Sequence, residues 1–85
     1  MDVILAGEVD ESCSDDVYQI IVAVIDTGPA RITVDLRGLV FIDDAGVAAF
    51  VGAHRSAQAH RTSLIVANAR GQVRQALSSA GVLRR

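Results

Sequence analysis

The sequence contains no lysine and no tryptophan, and only one cysteine, Cys13, and one proline, Pro29. Without lysine there is no Walker phosphate loop, no Schiff-base chemistry and no receiver-type phosphoaspartate site. With a single cysteine no disulfide can form within the chain, which favours a reducing compartment. Aromatic side chains are limited to Tyr18, Phe41 and Phe50, so the core is expected to be aliphatic. The first residues lack a basic segment followed by a long apolar run, so they do not read as a signal peptide. The longest apolar stretch in the 17–25 segment, Ile20 to Ile25, falls far short of the ~20 residues a membrane span needs. The expectation is a cytoplasmic protein with no membrane partner.

Charge is missing by region rather than overall. Residues 1–30 carry Asp2, Glu8, Asp10, Glu11, Asp15, Asp16 and Asp26 and no basic side chain. Residues 55–85 carry Arg55, Arg61, Arg70, Arg74, Arg84 and Arg85 and no acidic one. Such asymmetry can steer a charged partner, or it can reflect two solvated faces that merely differ. The arginine-rich end lacks interleaved aromatics and any nucleic-acid motif, so no nucleic-acid partner is expected.

What is present fits one domain, since 85 residues allow no more than one core. Val3-Ile4-Leu5-Ala6 reads as a short buried strand, with Glu8-Val9-Asp10-Glu11 as an exit loop. Ser12 or Ser14 can cap a first helix whose initial turn holds Asp15 and Asp16. Val17, Ile20, Ile21, Val24 and Ile25 recur at helical spacing, and Thr27-Gly28-Pro29 ends the pattern. Residues 31–36 alternate as a strand. Arg37-Gly38 then reads as a turn and Leu39 to Ile42 as an apolar connector. Asp43 is the expected N-cap of a second helix, running to about His60 with Val47, Phe50, Val51, His54 and Ala57 on one stripe. Residues 63–67 make a third strand. Asn68 can cap a last helix over 69–79, facing inward through Val73, Ala76, Leu77 and Ala80. Gly81 fits a left-handed stop and Val82 a hydrophobic closure. The order β-α-β-α-β-α implies an α/β fold, a small, mostly parallel sheet with helices packed on it.

The chemistry-bearing residues are few. Asp43 and Asp44 open a helix, where a cap and a first-turn carboxylate explain both; a partner contact is compatible with that role. Asp35 is expected either to bond nearby backbone N–H groups or to help shape the loop after Asp43. Asp10 reads as a loop residue. Gly46 suits close packing. His54 and His60 are six apart, the wrong spacing for two metal ligands on one helix face. Cys13 has no partner. With no metal cluster, nucleophile–base arrangement or phosphate loop, no cofactor, metal or enzymatic activity is expected.

The run Ile32-Thr33-Val34-Asp35-Leu36 through Asp43-Asp44-Ala45-Gly46-Val47 resembles the signature of the STAS family: a strand ending in Asp-Leu, an apolar stretch, then Asp-Ser-x-Gly at a helix start. Gly7-Glu8-Val9-Asp10 is similar to the family's Gly-Glu-Leu-Asp segment. Residues 69–77 with Gly81-Val82 resemble its final helix and glycine. The resemblance spans nearly the whole chain, 1–85, with the usual first strand and C-terminal end shortened. It implies an anti-sigma-factor antagonist: a non-catalytic module that binds an anti-sigma factor, itself a protein kinase, and so frees a sigma factor for transcription. The kinase of such systems phosphorylates the Ser of Asp-Ser-x-Gly, and the partner docks around that helix start and the Gly-Glu-Leu-Asp loop. Carried onto this chain, the partner-binding residues are Asp10, Asp43, Asp44, Ala45 and Gly46, and Asp44 holds the phosphosite position. Asp44 has no hydroxyl for a serine kinase; it either imitates phosphoserine with less charge or serves as a contact itself. The alternative is a scaffold STAS module, an oligomerising stress-signalling subunit or a transporter accessory subunit. A nucleotide- or lipid-binding module is a third reading. A homo-oligomer is compatible with an apolar first strand that no earlier strand covers.

Overall fold

A computed structural model describes residues 1–83. The elements run β1 (Asp2–Val9), α1 (Ser14–Asp26), β2 (Arg31–Ile42), α2 (Asp44–Ala59), β3 (Ser63–Ala67) and α3 (Gly71–Ser79). The three strands form one parallel sheet in the order β1-β2-β3, as the alternation of strand and helix patterns predicts. Arg84 and Arg85, which complete the basic end, lie outside the described residues.

β2 is the spine. Ile32, Val34, Leu36, Leu39 and Ile42 point into one core with Val17, Ile21 and Ile25 of α1, Phe50, Ala53 and Ala57 of α2, and Val73 and Leu77 of α3. Helices thus cover one face of the sheet. On the other face Ile4 and Ile65 are exposed beside the partly exposed Thr33 and Asp35. Burying each of the large aliphatic side chains contributes roughly 1.5–3 kcal/mol relative to leaving it in water.

The expected turn at Arg37-Gly38 and connector at 39–42 do not exist as such: both belong to β2. β1 likewise extends through the expected exit loop to Val9. The misreading has a physical cause. The eight residues Asp2–Val9 run beside the ten residues Thr33–Ile42, with register shifts between Ile4 and Ala6 and between Gly7 and Glu8. Each extra residue on β2 is a bulge that inverts the in–out alternation. Inward positions therefore fall at 32, 34 and 36 and then, three residues apart, at 39 and 42.

Other differences concern helix faces and starts. α2 buries Gly46, Ala49, Phe50, Ala53 and Ala57, whereas Val47 and Val51 of the expected stripe are half-buried; His54 is half-buried, as its place on the stripe's margin suits. Gly46, Ala49, Ala53 and Ala57 are small enough to let the helix pack closely, while Phe50 fills the core. On α1, Val17, Ile21 and Ile25 are buried, but Ile20 is exposed. The N-cap of α1 is Cys13, without a side-chain cap bond; neither Ser12 nor Ser14 caps it. α3 begins at Gly71 with Arg70 as N-cap. Asn68 adopts a left-handed backbone (φ 63°) and its Nδ2 donates to Asp35 Oδ1 at 3.2 Å, so it closes the strand side of the loop. Ala80 is exposed. Gly81 (φ 78°) ends α3 as expected: Gly81 N–H donates to Ser78 O at 3.0 Å and Val82 N–H to Leu77 O at 3.1 Å, while Val82 is buried. This is the pair of bonds and the apolar contact of a left-handed helix stop.

Candidate functional site

The carboxyl ends of β1 and β2 bring two loops together. Asp43 N–H donates to Val9 O at 3.1 Å, tying the last residue of β1 to the first residue after β2. Asp43 then bonds in two directions. Its Oδ1 accepts from Gly46 N–H at 2.9 Å, the N-cap bond of α2. Its Oδ2 accepts from Glu11 N–H at 3.1 Å, thirty-two residues earlier in the chain. One carboxylate therefore fixes both the start of α2 and the loop after β1. The N-cap expectation for Asp43 holds, and the bond to Glu11 adds a positioning role.

Asp10 shapes its own loop. Its carbonyl accepts from Cys13 N–H at 3.1 Å and Ser14 N–H at 2.8 Å. Its Oδ1 accepts from Ser12 N–H at 2.9 Å and also from the Ser12 hydroxyl. The Ser12 hydroxyl, followed by the Ser12 N–H, holds the Asp10 carboxyl below its ordinary value of 3.8. An Asx-type turn thus leads into α1 where a serine cap was expected. Cys13 Sγ sits 3.5 Å from Glu8 O and is half-buried.

Gly46 has no room for a side chain. A Cβ there would lie 2.6 Å from Ile42 Cγ1 and 2.9 Å from both Val9 Cγ1 and Val9 O. The glycine lets the first turn of α2 press against the ends of β1 and β2. Asp44 consequently projects into solvent, while Ala45 is half-buried. Beyond them a shallow groove of about 330 Å³ separates α1 from α2, lined by Asp15, Tyr18, Ala45, Ala48 and Gly52 among others. The Tyr18 ring lies against Gly52, where an added Cβ would sit 3.2 Å from Cε1.

Gln72 supports this arrangement from the other side, a role the sequence reading missed. β3 pairs with β2 only as far as Asp35. Beyond that point the open edge of β2 is met by side chains. Gln72 Nε2 donates to Ile42 O at 2.7 Å, and Ile42 N–H donates to Gln72 Oε1 at 3.1 Å. The amide of Gln72 thus pairs with Ile42 as another strand's peptide group would. Arg70 donates to Arg37 O at 3.2 Å. No local signal marks Gln72 for this, since its partner lies thirty residues away. The Asp10-x-Ser12 turn, by contrast, has a recognisable residue pattern.

Asp35 behaves as expected of a structural carboxylate. Its Oδ1 accepts from Arg37 N–H at 2.9 Å and from Asn68. The Arg37 N–H first, then the Asn68 amide, lower its pKa from 3.8. Asp35 stands apart from the Asp10–Asp43 cluster. His54 is half-buried on α2, and His60 at the end of α2 contacts Ser56 O and Asp26. Among the described residues no three His, Cys, Asp or Glu side chains form a group that could hold a metal ion. No helix of the described residues is long and apolar enough to cross a membrane.

The geometry is that of a surface. Ligand crevices in open α/β sheets form where strand order reverses; here the order is sequential. The site is a small parallel sheet covered on one face, with a glycine-seated helix start beside an acidic loop. The chain belongs to the STAS domain family: the family model described as "Mlab, STAS domain" matches residues 1–84. Among solved structures, the anti-sigma factor antagonist SpoIIAA in its unphosphorylated form matches with a TM-score of 0.72 at 24% identity, over 91% of this chain and 71% of that one. Mglu matches with a TM-score of 0.72 at 20% identity, over 84% of this chain and 18% of that one. Both likenesses show the fold. No curated protein matches the chain.

Proposed function

We propose that this chain binds a kinase-type anti-sigma factor and thereby controls the availability of a sigma factor for transcription in a bacterial cytoplasm. The contact surface is the Asp10 loop together with Asp43, Asp44 and Ala45, seated by the buried Gly46. One observation carries the reading: Asp43 bridges Gly46 N–H and Glu11 N–H, so the loop and the helix start form one fixed surface with Asp44 exposed on it. Exposed carboxylates on a rigid frame suit a protein partner with cationic groups. Rim charges of this kind act mainly on the association rate, and salt screens them beyond about 8 Å at physiological ionic strength.

Asp44 acts in this reading as a contact. A serine kinase has no hydroxyl to modify there, so Asp44 leaves the chain outside the phosphorylation switch of antagonists that carry serine. The test is association and dissociation rates with an anti-sigma kinase captured from the native cytoplasm, at low and high salt. Asp44→Ser weakens binding, and Asp10→Asn slows association more than it speeds dissociation. With Asp44→Ser, incubation with the kinase and ATP restores phosphate at position 44, read by mass spectrometry. Tighter binding by Asp44→Ser would instead make Asp44 an imitation of phosphoserine. Rates indifferent to both substitutions and to salt would overturn the site assignment and favour a scaffold role.

A further inference from the structure

We propose that the outer edge of β1 is a self-association surface, on which two copies of this chain pair antiparallel about a two-fold axis passing beside Ile4. The inference is independent of the anti-sigma reading.

Among the described residues β1 is an edge strand of the sheet, so there half of its backbone groups have no ladder partner on the outer side. Which half follows from one bond. Thr33 N–H donates to Met1 O at 2.8 Å, so the polar groups of Met1 point toward β2. Successive residues of an extended strand turn their N–H and C=O to opposite edges, so those of Val3 and Leu5 also face β2. Those of Asp2, Ile4 and Ala6 face outward. Backbone groups in such a row are a template for another strand.

The side chains select the occupant. Ile4 is the most exposed large apolar side chain of the described residues, at 75%, and Ile20 is 50% exposed. Both flank this edge. Ile4 stands on the open face of the sheet. On α1, Tyr18 turns toward Gly52 of α2, and Ile20, two residues on, lies about 200° around the helix from it. Ile20 is therefore on the side of α1 away from α2, toward the β1 edge. The edge is thus bordered by an isoleucine in the sheet layer and another in the helix layer, a border that a second copy reproduces.

Self-pairing has one favourable register. Matching outward groups to outward groups pairs Ile4 with Ile4 of the second copy and Asp2 with its Ala6. The isoleucines then form a cross-strand apolar pair, a favourable contact in sheets, and no like charges oppose. Sliding by two residues toward the strand end sets Asp2 opposite Glu8, two carboxylates. It also draws in Gly7, whose φ of 88° breaks the extended line. Sliding the other way sets Asp2 opposite Ile4 and loses the isoleucine pair, so the Ile4-centred register is the favoured one. The contact is isologous, so it closes on itself as a dimer rather than growing into a fibre.

Sedimentation of the full chain from micromolar to millimolar concentration tests this. A monomer–dimer equilibrium is expected, with exchange at the amides of Ile4 and Ala6 slowing as concentration rises. Ile4→Lys places two cations opposite each other and raises the dissociation constant by about tenfold or more. Ile4→Pro removes an outward N–H while leaving those bonded to β2, and gives a monomer with β1·β2 protection intact. Added salt leaves the wild-type dimer in place, and Asp10→Asn and Asp44→Ser do not affect it; both behaviours separate this surface from the partner site. A wild-type chain monomeric throughout the range, or a dimer indifferent to Ile4→Lys, overturns the proposal. So does concentration-independent exchange at Ile4 and Ala6.

Discussion

The starts of α2 and α3 stand on either side of the end of β2 and are held by opposite means. At α2 the cap is local: Asp43 accepts from Gly46 N–H three residues on, and Asp44 adds a carboxylate to the positive end of the helix. At α3 the N-cap, Arg70, makes no side-chain cap bond and the first turn has no acidic residue. Its polar side chains reach away instead, Arg70 to Arg37 O and Gln72 to both polar groups of Ile42. The difference teaches how the exposed Asp44 surface is made stiff. One helix supplies the surface with its own internal cap. The other uses its first turn to complete the strand from which that surface hangs.

Glycine substitutions press this comparison hardest. Gly46→Ala drives a methyl into Ile42, Val9 Cγ1 and the Val9 carbonyl, and overpacking of this kind costs about 1–3 kcal/mol. At about 4–8 °C per kcal/mol for a chain of this size, the melting temperature falls measurably, and binding through the proposed Asp10–Asp44 surface falls with it. Gly71→Ala meets nothing within 4 Å and faces only its left-handed backbone, φ 57°, so it costs about 1 kcal/mol. Equal losses in thermal melts would show that close packing is not what seats α2.

Removing the two side-chain anchors comes next. Gln72→Leu leaves the part-buried Ile42 N–H and C=O without their partner, at about 1–3 kcal/mol. Asp43→Ala removes the cap, at about 0.5–2 kcal/mol. Amide exchange tells them apart: Gln72→Leu speeds exchange at Ile42, whereas Asp43→Ala speeds it at Gly46 and Glu11. Faster exchange at Gly46 in the Gln72 variant alone would mean that the two starts are one cooperative unit.

The smallest effect is titration of two hydrogen-bonded carboxyls, one in the site and one apart from it. Asp10 and Asp35 both have folded values below 3.8 because hydrogen bonds favour their charged forms, from Ser12 to Asp10 and from Arg37 and Asn68 to Asp35. A carboxyl whose pKa is lowered by folding contributes stability above its unfolded value and loses it as pH falls through the folded one. Denaturant midpoints should therefore hold level from neutral pH down to about 5, then decline below about 4. Asp10→Asn shows a shallower acid decline than wild type; an identical decline would remove the Ser12–Asp10 bonds from the account.

Much of the fold was legible because its signals are local. Val17, Ile21 and Ile25 recur at helical spacing, Asp43 precedes Ala45 and Gly46 as a cap should, and Gly81-Val82 closes α3 as the residues suggest. The candidate site was legible to the same extent: Asp43 and Gly46 have the predicted roles in capping and close packing, and Asp35 is the predicted structural carboxylate. Asp10 has a turn-forming role that its spacing from Ser12 announces. What was not legible depended on neighbours. Arg37-Gly38 reads as a turn because alternation breaks there, and nothing local says that the chain continues as a bulged strand beside β1.

The sequence by itself determined the order of elements, the polarity of their ends and the chemistry available at the helix start. Those follow from hydrogen bonds and apolar periodicities a few residues long. Only the tertiary structure decided that β2 runs unbroken to Ile42, that α2 buries Ala49, Ala53 and Ala57 more deeply than its valines, and that Gln72 serves as the last rung of the ladder. It also joined Glu11 to Asp43, which makes one surface of two loops. Each of these is a contest for space or for a hydrogen-bond partner between segments far apart in the chain, and such contests have no outcome until the segments meet.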